Sequence, residues 1–172
     1  MSFLNSILKG FLGDKNATDL KEVKKVVAKI KAAEPAIQQL TDDGLREKTA
    51  EFQEKIKAAS ANVTSQIDQL KEQIDTTTDV DQKESLFGKI EGLKKEAYEL
   101  EEKVLAQILP EAFALLKETA RRLAQNGGIT VKATELDREF AATKDFVTID
   151  GDTAHYKNSW NAAGTEVVWD MV

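Results

Sequence analysis

The chain contains no cysteine, which removes disulfides and thiolate metal sites from consideration. It has one histidine, His155, and no other to pair with it, so a histidine-based metal cluster or a two-histidine acid–base device has no basis. Serine is scarce, and no nucleophile elbow or serine–lysine pair occurs. The only adjacent glycines, Gly127 and Gly128, are not followed by the lysine and hydroxyl that hold phosphate and magnesium. No apolar run approaches the ~20 residues that span a bilayer. Residues 3–12 are interrupted by polar side chains and lack a small-residue cleavage site, so they do not read as a signal peptide.

What is present is charge and helical periodicity. Charged residues make up 31% of the 172 residues, and the net charge is −6. That total is unevenly spread. Residues 1–33 carry seven lysines against Asp14, Asp19 and Glu22, a local balance of +4, which leaves −10 for the remainder. A basic front on an acidic body fits an anionic partner, such as acidic lipid or an acidic protein face. Nucleic acid is not expected, because the front lacks arginine and an aromatic stacking platform.

The first residues predict a short amphipathic helix over 1–13. Phe3, Ile7 and Phe11 form one i,i+4 row and Leu4, Leu8 and Leu12 the next. Two readings stand for this stripe: a helix docked on its own domain, or a reversible interfacial helix. In the second, Phe3, Leu4, Ile7, Leu8, Phe11 and Leu12 insert or dock, and Lys9, Lys15, Lys21, Lys24, Lys25 and Lys29 supply attraction to anionic headgroups.

Thr18 is placed to cap a second helix over 19–33 with Val23, Val26, Val27 and Ile30 inward, ended by Pro35. Thr41 starts a third through about Ala59, stepping along Leu45, Lys48, Phe52 and Ile56. The clearest period follows. Leu86, Ile90, Leu93, Ala97, Leu100 and Val104 alternate steps of four and three, matched upstream by Val63, Ile67, Leu70 and Ile74. With polar residues 75–79 between them, these predict an antiparallel helical hairpin. Such a hairpin serves either as a spacer or as a binding arm. Pro110 predicts a kink or a new helix through Gln125, with Ala112, Phe113, Leu116, Ala120 and Leu123 inward and Asn126-Gly127-Gly128 as its stop.

The texture changes after Gly128. Residues 129–133 read as a strand, and Thr134 with Asp137 opens a short helix. Residues 146–149 and 153–156 form a hairpin around Asp150-Gly151, and 165–172 supply another strand. His155 is read as an ordinary strand residue, and Asp150 with Asp152 as a turn rather than a calcium loop. Carboxylates beside lysines, as in Glu91/Lys95 and Glu99/Lys103, are read as solvated helix faces.

Two stretches resemble the SecA family, the motor ATPases of bacterial protein export. Glu34-Pro35 followed by Leu40-Thr41-Asp42-Asp43-Gly44-Leu45-Arg46-Glu47-Lys48-Thr49-Ala50-Glu51-Phe52 is similar to one motif of its amino-terminal region. Ile108-Leu109-Pro110-Glu111-Ala112-Phe113-Ala114 with Arg121-Arg122 resembles another. Residues 58–107 and the segment after Gly128 look inserted, as in members from the Bacteroidetes branch. The apolar ending at 167–172, with no cap or polar tail, leads to the expectation of a front piece cut from a larger protein.

The resemblance implies the amino-terminal, membrane- and translocon-facing part of a motor that drives preproteins through the SecYEG channel. It implies anionic lipids as a partner, a cytoplasmic location peripheral to the inner membrane, and ATP and magnesium for the full-length protein. This piece itself is expected to hold no catalytic residue and no cofactor, with Met171 matching the first residue of an adenine-contacting segment. Self-association is expected where truncation leaves apolar faces uncovered. The alternative is a self-contained helical-hairpin adaptor that needs no ATP, and a small enzyme is the third class.

The expected fold is mainly α: a helical bundle with a long antiparallel hairpin and a small β element near the carboxyl end. Its segments are 1–57, the hairpin 58–107, the helix 108–127 and the β-containing stretch 128–172.

Overall fold

A computed structural model describes the backbone of residues 15–171 and the side chains from Asp19 onward. The helix expected over residues 1–13 lies outside the described residues. The chain divides into two compact units, Asp43–Leu109 and the described residues on either side of it. The architecture is mainly α with a few short antiparallel strands near the carboxyl end, as the sequence predicts. Helices α1 (Lys15–Gln38), α2 (Asp42–Thr76) and α3 (Val80–Asn126) come first. They are followed by β1 (Gly128–Lys132), α4 (Glu135–Thr143), β2 (Val147–Asp150), β3 (Thr153–Lys157), β4 (Ser159–Ala162) and β5 (Thr165–Val168).

The hairpin unit follows its heptads. Val63, Ile67 and Ile74 on α2 bury against Leu86 and Ile90 on α3, with Leu70, Leu93, Ala97 and Leu100 packed around them. The connection is short because Asp79 caps α3. Its Oδ1 accepts from the Asp81 and Gln82 amides at 3.0 and 3.2 Å, satisfying donors that the first turn leaves free. Helix α2 does not stop near Ala59, where the sequence reading ends it. It continues to Thr76, because the Phe52 row leads through buried Ser60 into the seam without a breaker.

In the other unit, β3 lies between β1 and β2, all antiparallel. Val131 faces Ala154 in the β1–β3 register, and Val147 faces Tyr156 in the β2–β3 register. Val131, Val147 and Ala154 are buried, as are Ile37, Ala114 and Leu115 from the helices of the same unit. Gly127 stops α3 at φ 69, the left-handed region that glycine enters without strain. A Cβ on Gly128 would collide with the Tyr156 carbonyl across the register, so the second glycine permits close strand approach. Thr134 and Asp137 form the predicted capping box of α4. Residues 151 and 152 make the β2–β3 turn, with Gly151 at φ 56.

Several local expectations are corrected. Helix α1 spans Lys15–Gln38 rather than 19–33, so Thr18 lies inside it and Pro35 does not end it. Its last turn is held from outside: Glu34 pairs with Lys117 at 2.8 Å, and Ile37 is buried. Val23, Val26 and Val27, expected inward, are exposed. Of the two readings of Pro110, a kink or a new helix, the new helix is overturned: α3 runs on through it, at the cost of one intrahelical bond. Its last turns also present a different face. Phe113 and Leu116, expected inward, are 53% and 65% exposed, while Ala114, Leu115, Glu118 and Arg122 are buried. Strand β4 was not expected, and β5 ends at Val168 instead of continuing to residue 172. They pair through Ala163 and Gly164, both at positive φ (51 and 83), where the Asn161 side chain accepts from the Gly164 amide at 2.9 Å.

Candidate functional site

The residues singled out by sequence fall in three places. Phe3, Leu4, Ile7, Leu8, Lys9, Phe11 and Leu12 lie outside the described residues. Lys15 is the first residue of α1, described by its backbone alone. Lys21, Lys24, Lys25 and Lys29 are exposed along α1. Leu20, Val23, Val26 and Val27 share one side of that helix at three- and four-residue steps, and all are exposed. The lysines occupy the remaining arc. One of them is partly neutralised, because Lys25 pairs with Glu22 at 2.8 Å. Helix α1 therefore offers an apolar strip beside a cationic arc.

Met171 stands at the far end of the chain, 67% exposed. The Trp169 indole N–H donates to its carbonyl at 2.7 Å, and the Trp169 amide donates to the Asn158 carbonyl at 2.7 Å. The segment leaving β5 is thereby tied to the residue that precedes β4.

His155 sits on β3 opposite Thr130, its Nδ1 3.0 Å from the threonine hydroxyl, and acts as a strand residue. Asp152 lies in the tight turn, 3.5 Å from Arg138. No group of three histidine or carboxylate side chains converges to hold a metal among the described residues. Gly127 and Gly128 link the end of α3 to the start of β1. No helix among the described residues is long and apolar enough to cross a membrane.

The most organised polar cluster joins Asp42, Glu118, Arg121 and Arg122, which the sequence reading places in two separate stretches without bringing them together. Arg122 is 8% exposed. It donates through Nε to Glu118 at 2.8 Å and through one terminal nitrogen to Asp42 Oδ1 at 2.7 Å. Its other terminal nitrogen reaches the Leu40 carbonyl at 2.6 Å and the Gln38 carbonyl at 3.4 Å. The second oxygen of Asp42 accepts from the Thr130 amide at 3.1 Å. One guanidinium thus closes the turn between α1 and α2 and, through Asp42, fixes the start of β1. Arg121 grips Glu118 from the outside with both Nε and a terminal nitrogen at 2.7 Å. The signal was the Glu-x-x-Arg-Arg spacing, which puts both guanidinia within helical reach of one carboxylate.

A second buried carboxylate serves the fold. Asp137, 1% exposed, accepts from the Thr134 amide at 2.7 Å and the Thr134 hydroxyl at 2.8 Å, and from the Tyr156 hydroxyl. It ties the start of α4 to the central strand.

The hydrogen bonds from Arg121, opposed by burial and helped by Arg122, hold the Glu118 carboxyl below its ordinary value of 4.5. For Arg122, burial works against the charge, but Asp42 and Glu118 outweigh it and raise its pKa. A carboxyl whose folded pKa is depressed stabilises the fold fully above its unfolded value, and that contribution fades as pH falls through the folded value. The urea midpoint of the chain is expected to drop between about pH 6 and pH 3, and Glu118→Gln is expected to make the drop shallower. An identical pH profile for the variant would remove Glu118 from the account.

The family model for the SecA DEAD-like domain matches residues 8–134. Protein translocase subunit SecA of Flavobacterium psychrophilum is 48% identical over 172 residues, covering 100% of this chain and 15% of that protein. The same-named protein of Christiangramia forsetii is also 48% identical over 172 residues, again 100% and 15%. That of Porphyromonas gingivalis is 47% identical over 168 residues, 98% and 15%. The chain spans about 15% of the length of these curated relatives. No solved structure matches the chain.

Proposed function

The chain belongs to the SecA family, and on that footing we propose that it works as the membrane- and translocon-facing front of an ATP-driven preprotein translocase. The relatives are named protein translocase subunits, and this chain matches them from its first residues at near half identity. In this reading Phe3, Leu4, Ile7, Leu8, Phe11 and Leu12 enter the lipid interface or dock on the SecYEG channel. Lys9, Lys15, Lys21, Lys24 and Lys25 hold the segment against anionic headgroups. Preproteins, ATP and magnesium belong to the remaining length of the full protein, with Met171 at the edge of an adenine-contacting segment. The protein is then cytoplasmic and peripheral at the inner membrane.

The observation that carries the reading is the exposed cationic arc of α1, which follows the apolar residues of 3–12 in the sequence. Two weak signals combine here. A short apolar segment alone binds membranes marginally, and several nearby lysines each add ~1 kcal/mol when they reach an anionic surface.

Vesicle flotation tests it. The chain is expected to float with vesicles containing phosphatidylglycerol, to stay behind with purely phosphatidylcholine vesicles, and to be released as salt rises, because screening shortens the reach of the lysines. Deleting residues 1–12 is expected to abolish flotation, and Lys21→Glu with Lys24→Glu to weaken it several-fold. Equal flotation with both vesicle types at every salt concentration would rule out the electrostatic part. Flotation that survives the deletion would rule out the stripe.

A further inference from the structure

Helix α3 carries a second apolar row, on a flank of its seam. Val80, Phe87, Tyr98 and Leu105 are 75%, 54%, 63% and 41% exposed. At 3.6 residues per turn, steps of seven, eleven and seven keep them within a narrow strip, about 100° round the helix from Leu86 and Ile90. Nothing in the hairpin unit covers this strip, and two of its four members are aromatic. Between the aromatics the strip is interrupted by one charge of each sign, Glu91 and Lys94, which pair with each other at 2.7 Å.

The pattern has a symmetry that a solvent-facing helix does not need. Laid antiparallel on itself about the Gly92–Leu93 peptide, the strip maps onto itself. Val80 meets Leu105, Phe87 meets Tyr98, and Glu91 meets Lys94, each pair occurring twice. On the flanks Lys83 meets Glu102. Glu84 opposite Glu101 is the one like-charged pair, at the solvated edge where screening is strongest. Sliding the copy by one heptad either way sets Glu91 against Phe87 or Lys94 against Tyr98. The charges therefore select the register as well as permit it.

We propose that this face of α3 is an isologous interface, and that its occupant is the same helix of a second copy of the chain. A two-fold contact requires that each residue's partner have that residue as its own partner, and the apolar and charged members of the strip satisfy this together. The contact runs along residues 80–105, about 39 Å of helix. Its centre holds the two Phe87–Tyr98 pairs, the kind of buried aromatic anchors that dominate interface energies. The Glu91–Lys94 pairs of the two copies then form a four-charge cluster around the axis.

Sedimentation velocity over a concentration series of the whole chain tests the proposal, with far-UV circular dichroism confirming that each variant stays helical. The wild-type chain is expected to dimerise. Phe87→Glu with Tyr98→Glu is expected to weaken the dimer at least about 30-fold. Glu91→Lys alone and Lys94→Glu alone are each expected to weaken it, because like charges then face across the axis. The double reversal E91K/K94E is expected to return it to wild-type strength. That rescue separates this register from any other apolar contact. Because the chain has no cysteine, Phe87→Cys with Tyr98→Cys supplies a second readout. The two positions are about 16 Å apart along one helix, so any disulfide between them joins two chains. A strictly monomeric wild-type chain would overturn the proposal. So would a dimer indifferent to the glutamate pair, or a double reversal that fails to rescue.

Discussion

Replacing Arg122 with alanine is expected to destabilise its unit by about 3–5 kcal/mol, the range for breaking a buried ion pair by removing one partner. The loss comes less from the vanished attraction than from what remains. Glu118 is 3% exposed, and it would keep only Arg121 as a counter-charge. The Leu40 carbonyl and Asp42 Oδ1 would lose the donors that now lie at 2.6 and 2.7 Å. Arg122→Lys is expected to recover only part of the loss, because an ammonium cannot present the planar fork that serves a carboxylate and a carbonyl on separate elements. Trp160 and Trp169 lie in the same unit as Arg122, so urea unfolding followed by tryptophan fluorescence reads it directly. An Arg122→Ala variant within about 1 kcal/mol of wild type would show that solvent already reaches the cluster.

Leu86→Ala is expected to cost the hairpin about 2–5 kcal/mol, through lost burial and the cavity left behind. The neighbouring Phe87→Ala is expected to cost about 0.5 kcal/mol or less in the monomer. Leu86 is 4% exposed and Phe87 54%, so one step along the chain separates a core residue from a surface one. Urea unfolding at low protein concentration, followed by helical circular dichroism, distinguishes the two. Equal losses at both positions would mean that the seam is not the organising contact of the hairpin.

These two residues also mark where sequence reasoning succeeds. The seam of Leu86 and Ile90 against Ile67 and Ile74 was legible because its partners share one repeat and a short loop forces them together. The Thr134–Asp137 capping box and the Gly151 turn were legible for a similar reason, since their chemistry closes within a few residues. Arg122 was not. Around residues 111–123 the helix offers two plausible inner faces, one apolar through Phe113 and Leu116 and one mixed through Ala114, Glu118 and Arg122. Periodicity ranks the apolar one first. The mixed face is buried because carbonyls of the α1–α2 turn and Asp42 await a donor there, some eighty residues away in sequence. Pro35 misled for a related reason: the last turn of α1 is held by Lys117 and by the burial of Ile37, which no local rule registers. The valines of α1 showed the period of a core helix, yet they are exposed. Strand β4, Ser159–Ala162, lacks the β-branched alternation that announces a strand, and it exists through its pairing with β5.

The same guanidinium constrains the order of events during synthesis. The hairpin needs only neighbours in the chain, joined through Thr77–Asp79, and such local contacts form early. The turn at residues 38–42 must wait until Arg122 has left the ribosome, 80 positions after Asp42, and Thr130 follows, 88 positions after it. At about 5–20 residues per second, the leading segment spends several seconds in the open before its latch arrives. A nascent-chain holdase or a nearby bilayer has that interval in which to meet it first.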